Sequence, residues 1–319
     1  MTMRRCLYCY NELGEETAEF HKVCSRKIFG TPIPPELPYS EDQMMQLAEK
    51  VIKSQSTVTG VQQKLSLHIE KISKKDEPQR FTIVGLWGGY ILKPPTKQYN
   101  FLPELEDLTM HLAEISGLEV VPHSLIRLSS GNLSYITKRI DRRNEIKIHM
   151  EDMCQLTERL TEQKYNGSHE QIGKAITKYS VNPGLDITNF FEQVLFSFLT
   201  GNADMHLKNF SLIDNPEIGY ILSPAYDMVA TKLVVEGDQE ELALTLNGKK
   251  KKIKKKDFVE PMVRFNIDTK AIENMFNKFK ASLDNWHKFI DISFLPDQMK
   301  IGYHDLIRKR ADQIYPTGS

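Results

Sequence analysis

The stretch FLTGNADMHLKNFSLI, residues 198–213, sets a polar cluster between two apolar runs. The first run is apolar on nearly every side, predicts a buried helix and ends at a glycine. A carboxylate, an imidazole, an ammonium and an amide then follow within six residues: Asp204, His206, Lys208 and Asn209. The stretch is therefore either a turn after a buried helix or a loop that carries chemistry.

The spacing within this cluster favours chemistry on phosphate. Asp204 and Asn209 are separated by four residues, which is the spacing in the catalytic loop of protein kinases. There the Asp receives the proton of the substrate hydroxyl while the Asn holds magnesium beside the phosphate, so both must sit on one tight loop. Taken alone the pattern is weak, because Asp and Asn are common in turns, and His206 and Lys208 have structural or solvated alternatives.

Other parts of a phosphoryl-transfer site occur in kinase order. A loop with hydroxyls and Gly60 precedes a predicted strand and can turn N–H groups towards phosphates. Lys93 ends the apolar run GYILK, and Glu106 on the next predicted helix could pair with it. Asp227 follows a predicted strand where kinases keep a magnesium carboxylate, although Met228 and no glycine follow it. Each has a plain alternative: a snorkelling strand end, a surface Glu or a turn Asp. The joint order favours a kinase.

Composition bounds the class of protein. The chain has 319 residues, 40% hydrophobic and 26% charged, which is ordinary for a globular protein with room for two domains. Lys+Arg and Asp+Glu are both 42, so no global charge favours nucleic acid or membrane. The N-terminal stretch does not resemble a signal peptide, and no window predicts a membrane span. With four cysteines, we expect a reduced, cytoplasmic protein.

The periodicity changes near residue 141. Residues 1–30 are rich in Cys and charge, and the proline-rich TPIPPELPYS after them predicts an extended linker. Strand patterns dominate up to residue 140, interrupted by a predicted helix in LPELEDLTMHLAEISGL. From residue 141 to 319 the patterns are helical, including MEDMCQLTERL. We therefore predict three segments, 1–30, 31–140 and 141–319.

With these residues in view, the chain resembles the HipA family of serine/threonine kinases, the toxins of bacterial toxin–antitoxin systems. Matching stretches run in the same order from about residue 55 to 230: TVTGVQQKL, YILKPP, LPELEDLTMHLAEISGL, YITKRIDR, EDMCQL, GNADMHLKNFSL and SPAYDM. The resemblance implies an α+β, two-lobed protein-kinase-like fold. Its β-rich N-lobe would cover residues 31–140, its mostly α-helical C-lobe residues 141–319, with ATP between the lobes.

The resemblance also implies the site residues. Asp204 would be the catalytic base, Asn209 and Asp227 would hold Mg²⁺, and Lys93 would reach the phosphates. The phosphate loop, a hinge that meets adenine, and the neighbours of the catalytic residues would complete the ATP site: Thr59, Gly60, Val61, Gln62, Gln63, Lys64, Lys138, Arg139, Ile140, His206, Leu207, Lys208 and Tyr226.

The resemblance also implies substrates and partners. Members of the family phosphorylate aminoacyl-tRNA synthetases, and some phosphorylate a hydroxyl in their own phosphate loop. This loop offers Thr57 and Thr59 where serines are usual, with Ser56 beside them. Longer members carry a small N-terminal subdomain that some relatives replace with a separate protein. We therefore expect a protein substrate, an antitoxin or small companion protein, DNA contact only through an antitoxin, and no membrane.

Two rival functions remain open. One is a small-molecule kinase on the same fold. The other is a zinc-bearing pseudokinase that acts as a binding module or DNA-bound corepressor. The presence of Asp204, Asn209, Asp227 and Lys93 argues against the pseudokinase.

The N-terminal cysteines predict a metal site. Cys6 and Cys9 form one pair, and His21 and Cys24 form a second after a spacer long enough to fold back. Three thiolates and an imidazole make a closed tetrahedral zinc site, and metal would supply folding energy to a segment without its own core. The alternative is reduced, unliganded thiols with His21 on the surface. Cys154 is expected to be a buried small residue.

The lysine-rich stretch LALTLNGKKKKIKKKDF, residues 242–258, predicts a hairpin around its Asn-Gly turn. Lys249–Lys252 and Lys254–Lys256 make it strongly basic. Contact with nucleic acid and a solvated edge hairpin are both open. No aromatic residue interleaves the lysines for base stacking, which favours the solvated edge.

Overall fold

The computed structural model describes residues 4–14, 18–44, 46–47, 64–70, 79–84, 88–143, 146–235, 237 and 239–316. The chain divides into two compact units. The first comprises Met1–Asp107 and Val121–Ile146, and the second comprises Leu108–Val120 and Lys147–Ser319. The three-segment division drawn from the sequence stays a prediction.

The described strands are β1 (Leu65–Glu70), β2 (Arg80–Val84), β3 (Tyr90–Lys93), β4 (His123–Arg127), β5 (Leu133–Lys138), β6 (Arg142–Arg143), β7 (Ile146–Lys147), β8 (Met150–Asp152), β9 (Ser211–Asn215) and β10 (Gly219–Leu222). The described helices are α1 (Lys22–Phe29), α2 (Leu102–Ile115), α3 (Met153–Leu156), α4 (His169–Tyr179), α5 (Pro183–Thr200), α6 (Lys255–Arg264), α7 (Thr269–Asp291) and α8 (Asp297–Ile314). Among them, no helix has the length and apolar content needed to cross a bilayer.

An antiparallel sheet organises the first unit. Its strand order is β2-β1-β3-β5-β4. The alternation in the sequence places Leu67, Leu92 and Ile136 fully inside the core. Lys93 pairs in register with Tyr135 on the neighbouring strand. The sheet therefore carries the candidate phosphate lysine at the end of an inner strand.

The N-terminal segment packs into the same unit. Helix α1 ends at Gly30, whose φ of 79° is the left-handed conformation that glycine adopts most easily. Phe29, at the end of α1, lies edge-on against Phe20 and Phe81, with centroids 5.4 and 5.7 Å apart. Phe81 in turn lies 5.5 Å from Tyr90 on β3. The cysteine-rich segment therefore shares an aromatic core with the sheet.

Helix α5 is the centre of the second unit. It starts with Pro183 in its first turn, where a missing N–H costs nothing, and ends at Gly201 with φ 72°. Most of its length from Ile187 onward is buried, as the apolar run predicts. A Cβ at Gly201 would lie 2.5 Å from the side chain of Leu306, so this turn favours glycine twice over.

The helix predicted over MEDMCQLTERL is wrong for most of its length. Met150–Asp152 forms strand β8, and only Met153–Leu156 is α-helical. Asp152 lies opposite Ser211 in the β8–β9 ladder. Its side chain also accepts from the N–H of Gln155 and caps the short helix. Pairing with a distant strand therefore overrides the local helical pattern.

The hairpin predicted for the lysine-rich stretch is correct only at its turn. Asn247 and Gly248 form the expected tight turn, with φ 49° and 74°, and Leu246 bridges Lys249. Neither limb is a strand: Thr245 and Leu246 make only isolated bridges, and helix α6 begins at Lys255 on the return side. The buried Asp257 accepts from the Lys249 ammonium at 2.7 Å and from the Lys254 N–H at 2.9 Å. These bonds fix the turn to the start of the helix and neutralise part of the lysine charge.

Candidate functional site

The predicted catalytic loop is anchored at both ends. Gly201 closes helix α5, and the N–H of Ala203 donates to Thr231 Oγ1 at 2.9 Å. Leu207–Asn209 then forms a single 3₁₀ turn that leads into β9. The loop leaves the Asp204 carboxylate partly exposed, while His206, Leu207 and Asn209 are buried. A fixed amide beside an accessible carboxylate suits a loop in which Asn209 is the expected metal ligand and Asp204 the expected base.

The β9–β10 hairpin returns Asp227 to this loop. The N–H of Ser223 donates to Ser211 O at 2.9 Å. The Tyr226 hydroxyl donates to Lys208 O at 3.0 Å and is also paired with Ser211 Oγ. Asp227 itself has φ 55°, a left-handed conformation that a non-glycine residue seldom adopts. Such strained backbones cluster at functional sites, where the surrounding structure enforces them.

Two neighbours of the loop were missed by sequence reasoning. The Tyr165 hydroxyl donates to Asp204 Oδ1 at 2.6 Å, and its ring lies edge-on to His206 at 5.1 Å. Burial and the bond to Asp204 raise the pKa of Tyr165. Asp152 accepts from the Lys208 ammonium at 2.6 Å, so this lysine is not simply solvated. Tyr165 lies 39 residues from Asp204 in sequence, and no local pattern signals the contact.

The first unit contains the predicted lysine–glutamate pair. Lys93 and Glu106 form a direct ion pair, and their side chains are only 4% and 2% exposed. The Lys93 ammonium also lies over the Tyr135 ring, 5.3 Å from its centroid. Buried charges in proteins are normally paired in this way. The surface alternative for Glu106 is wrong.

The structure describes the predicted hinge but only the last residue of the predicted phosphate loop. Within the hinge, the N–H groups of Lys138 and Arg139 are already used, donating to Pro122 O and Gly89 O at 2.9 and 2.8 Å. Lys64 is exposed just before β1. The rest of the predicted loop lies outside the described residues: Ser56, Thr57, Thr59, Gly60, Val61, Gln62 and Gln63.

The N-terminal Cys/His group comes together as a cluster. One ligand atom from each of Cys6, Cys9, His21 and Cys24 lies within 4.8 Å of the others, so the group could hold a metal ion. Burial raises the pKa of Cys9 and Cys24, and the nearby Cys6 raises both further. Burial also raises the pKa of Cys6, but N–H groups of Cys9, His21 and Tyr8 outweigh it and leave the pKa lowered. His21 is half-buried, with its Nδ1 atom against the Cys9 sulfur, instead of projecting from the surface.

Comparisons with known proteins find relatives that are named as kinases. The "Putative kinase Y4dM" of Sinorhizobium fredii is 33% identical over 61% of this chain and 49% of its own length. The serine/threonine-protein kinase toxin HipA of Shewanella oneidensis is 26% identical over 61% of this chain and 47% of its own. The chain thus spans about half the length of these curated relatives.

A solved structure shares the fold. In the complex of HipA, HipB and operator DNA from Shewanella oneidensis, a chain matches 87% of this one and 71% of its own length. The TM-score is 0.67 at 20% identity, which supports a common α+β fold. The family model of the HipA-like C-terminal domain matches residues 56–286. The chain therefore belongs to the HipA-like C-terminal domain family.

Proposed function

We propose that this protein is an ATP- and Mg²⁺-dependent serine/threonine protein kinase of the HipA type. The observation that carries the proposal lies in the second unit. There, hydrogen bonds from Tyr226 tie the segment of Asp227 to the loop of Asp204 and Asn209. The names of the relatives support kinase chemistry in general. The buried Lys93–Glu106 pair supports it independently in the first unit.

The second unit would supply the base and the metal ligands. Asp204 would orient the acceptor hydroxyl and take its proton on the carboxylate. The carboxylate of Asp227 and the amide oxygen of Asn209 are the hard oxygen donors that Mg²⁺ prefers. Bound Mg²⁺ would neutralise charge on the β- and γ-phosphates of ATP. Lys208, which Asp152 restrains, would place a positive charge near the same oxygens.

The first unit would supply contacts to ATP. Glu106 holds the Lys93 ammonium in a fixed position, from which it would bind the phosphates. The N–H groups of Lys138 and Arg139 are used within the fold. Recognition of adenine at the hinge would therefore fall to carbonyl oxygens and to the backbone of Ile140. The loop from Thr59 to Lys64 would cover the phosphates, and Thr57 or Thr59 would be the autophosphorylation site.

The biological role would be that of a toxin held by a partner. One relative is named as a kinase toxin, and the solved neighbour is a complex with HipB and operator DNA. We therefore propose an antitoxin or a small companion protein as partner, with DNA reached only through an antitoxin. The substrate would be a cellular protein, with aminoacyl-tRNA synthetases as the first class to examine.

The direct experiment is incubation of the protein with Mg-ATP and a lysate of its host, followed by mapping of phosphorylated sites by mass spectrometry. Asp204→Asn serves as the matched control, because it keeps size and removes the proposed base. We expect new phosphoserine or phosphothreonine on a cellular protein with the wild type only. Equal labelling by both proteins would overturn the kinase assignment of the loop. Transfer of phosphate to a metabolite alone, with no protein phosphorylated, would identify a small-molecule kinase instead.

A further inference from the structure

The Cys/His cluster has the spacing of a tetrahedral zinc site. With Zn–S of about 2.3 Å and Zn–N of about 2.0 Å, the sulfur–nitrogen distance across a tetrahedral zinc is about 3.5 Å. In the structure, the Nδ1 atom of His21 lies 3.4 Å from Cys9 Sγ and 3.7 Å from Cys24 Sγ. With Cys6, all four ligand atoms lie within 4.8 Å of one another. A disulfide would join only two of the sulfurs and would not explain why the His21 imidazole lies against them. The cysteines are free in the structure.

The surroundings orient the imidazole for this task. The Nε2 atom of His21 lies 2.9 Å from the carbonyl oxygen of Glu12. A carbonyl oxygen can only accept, so Nε2 carries the proton and the lone pair of Nδ1 points to the thiols. A hydrogen bond from the outer ring nitrogen to a carbonyl is the usual support of a metal-binding histidine.

Two contacts connect the cluster to the candidate ATP lysine. The Tyr10 hydroxyl, one residue after Cys9, donates to Asp107 Oδ2 at 2.8 Å, and Asp107 directly follows Glu106 on helix α2. From helix α1, which carries Cys24, the carbonyl of Ile28 accepts from the Tyr90 hydroxyl at 2.9 Å. Tyr90 starts β3, the strand that ends at Lys93. Both partners of the ion pair are therefore attached to the cysteine-rich segment.

We propose that Cys6, Cys9, His21 and Cys24 bind one structural Zn²⁺, and that the zinc-bound segment positions the Lys93–Glu106 ion pair. Four protein ligands leave no open coordination position, so the metal is structural and not catalytic. The zinc fixes the turn that holds Tyr10 and the helix that holds Ile28. Each then restrains one of the two elements that present the pair.

Metal content tests the first half of the proposal. Protein purified without chelators should contain about one equivalent of zinc, by the four-ligand rule. Cys9→Ser and Cys24→Ser should lose it, whereas Cys154→Ala, a buried cysteine of the second unit, should keep it. Cobalt added to zinc-free wild type should give the visible absorption of a tetrahedral thiolate site, which needs no folded variant. Zinc-free protein that takes up neither metal would overturn the site.

Hydrogen exchange tests the second half without reference to activity. Removal of zinc from the wild type should speed amide exchange in Tyr90–Lys93 and the first turns of Leu102–Ile115. It should leave exchange in Pro183–Thr200 of the second unit unchanged. Unchanged exchange in the first two segments would overturn the positioning role, even if the metal analysis shows that the cluster binds zinc.

Nucleotide binding provides a further readout, which rests on the proposed kinase function. Tyr10→Phe should keep its zinc but bind a non-hydrolysable ATP analogue at least about five-fold more weakly, the lower end for coupled sites. Equal binding by wild type and Tyr10→Phe would contradict the positioning role. If the wild type binds zinc and shows the expected exchange pattern but binds no nucleotide, the proposed function fails while this inference stands.

Discussion

The two units of the molecule hold their lysine–carboxylate pairs in different ways. Lys93 and Glu106 in the first unit pair where their side chains are 4% and 2% exposed. Lys208 and Asp152 in the second pair at 34% and 14%. A buried pair is fixed, because neither charge can return to water without a large cost. A partly exposed pair can rearrange, and solvent screens it. The ion pair of the first unit is thus fixed in position, whereas the charged groups of the second unit can change partners.

Breaking the two pairs should show the largest difference. Lys93→Met leaves Glu106 buried and uncompensated, and we expect it to cost about 3–5 kcal/mol of unfolding free energy. Lys208→Met should cost at most about 1 kcal/mol. Denaturant unfolding of both variants measures this. The double variant Lys93→Met/Glu106→Leu should recover much of the loss, and equal costs for the two single variants would refute the contrast.

The partly open carboxylates should divide the catalytic work. Asp204→Asn should bind Mg-ATP almost normally and lose turnover by at least ~100-fold, the lower range for removal of a general base. Asp227→Ala should also lose turnover, but its ATP binding should weaken chiefly when magnesium is present. Calorimetric ATP titration with and without magnesium, beside a phosphorylation assay, separates the two. Indistinguishable magnesium dependence of the two variants would contradict the division of roles.

The units should also respond to pH with opposite sign. Burial raises the pKa of Glu104 in the first unit to about 7, above its ordinary 4.5. The stability from its neutral form is complete below pH 4.5 and is lost as pH rises through 7. Burial lowers the pKa of His169 in the second unit to about 3, below its ordinary 6.5. The stability from its neutral form is present above pH 6.5 and is lost as pH falls towards 3.

Glu104→Gln should therefore stabilise the protein by about 2 kcal/mol at pH 8, after allowance for screening, and change little at pH 4.5. The matched control is Glu70→Gln, at an exposed strand end, which should be neutral at both pH values. His169→Leu should flatten the loss of stability of the second unit between pH 6.5 and 4. Thermal unfolding over this pH range, with a probe in each unit, checks both. A destabilised Glu104→Gln at pH 8 would contradict the prediction.

The smallest expected effect concerns Tyr165. Its hydroxyl donates to Asp204 Oδ1 at 2.6 Å and fixes the carboxylate. Tyr165→Phe removes one hydrogen bond, about 1 kcal/mol, so turnover should fall by less than about ten-fold with ATP affinity unchanged. Steady-state kinetics measures the split between turnover and binding. A rise in turnover would show that the hydroxyl competes with the substrate instead of orienting the base.

The candidate site was predictable where its parts are close in sequence. The spacing of Asp204 and Asn209, the apolar helix before them and the glycine that ends it are all local patterns. The Asn247–Gly248 turn was predictable for the same reason. The prediction failed where a distant partner decides the conformation. Strand β8 exists because Asp152 pairs with the distant Ser211. The start of helix α6 is different, because Asp257 accepts from the N–H of Lys254 only three residues away, a local signal that the hairpin prediction overlooked.

The sequence by itself determined the order of the parts, the periodicity of the elements and the residue types that chemistry requires. It offered Lys93 and Glu106 as partners and the four Cys/His residues as ligands, each beside a plain alternative. Only the tertiary structure showed that the ion pair is buried and that Nδ1 of His21 lies 3.4 Å from Cys9 Sγ, in a cluster that could hold a metal ion. It also disclosed the contact of Tyr165 with Asp204. The physical reason is range: periodicity acts within a few residues, whereas burial and hydrogen bonding join groups that only folding brings together.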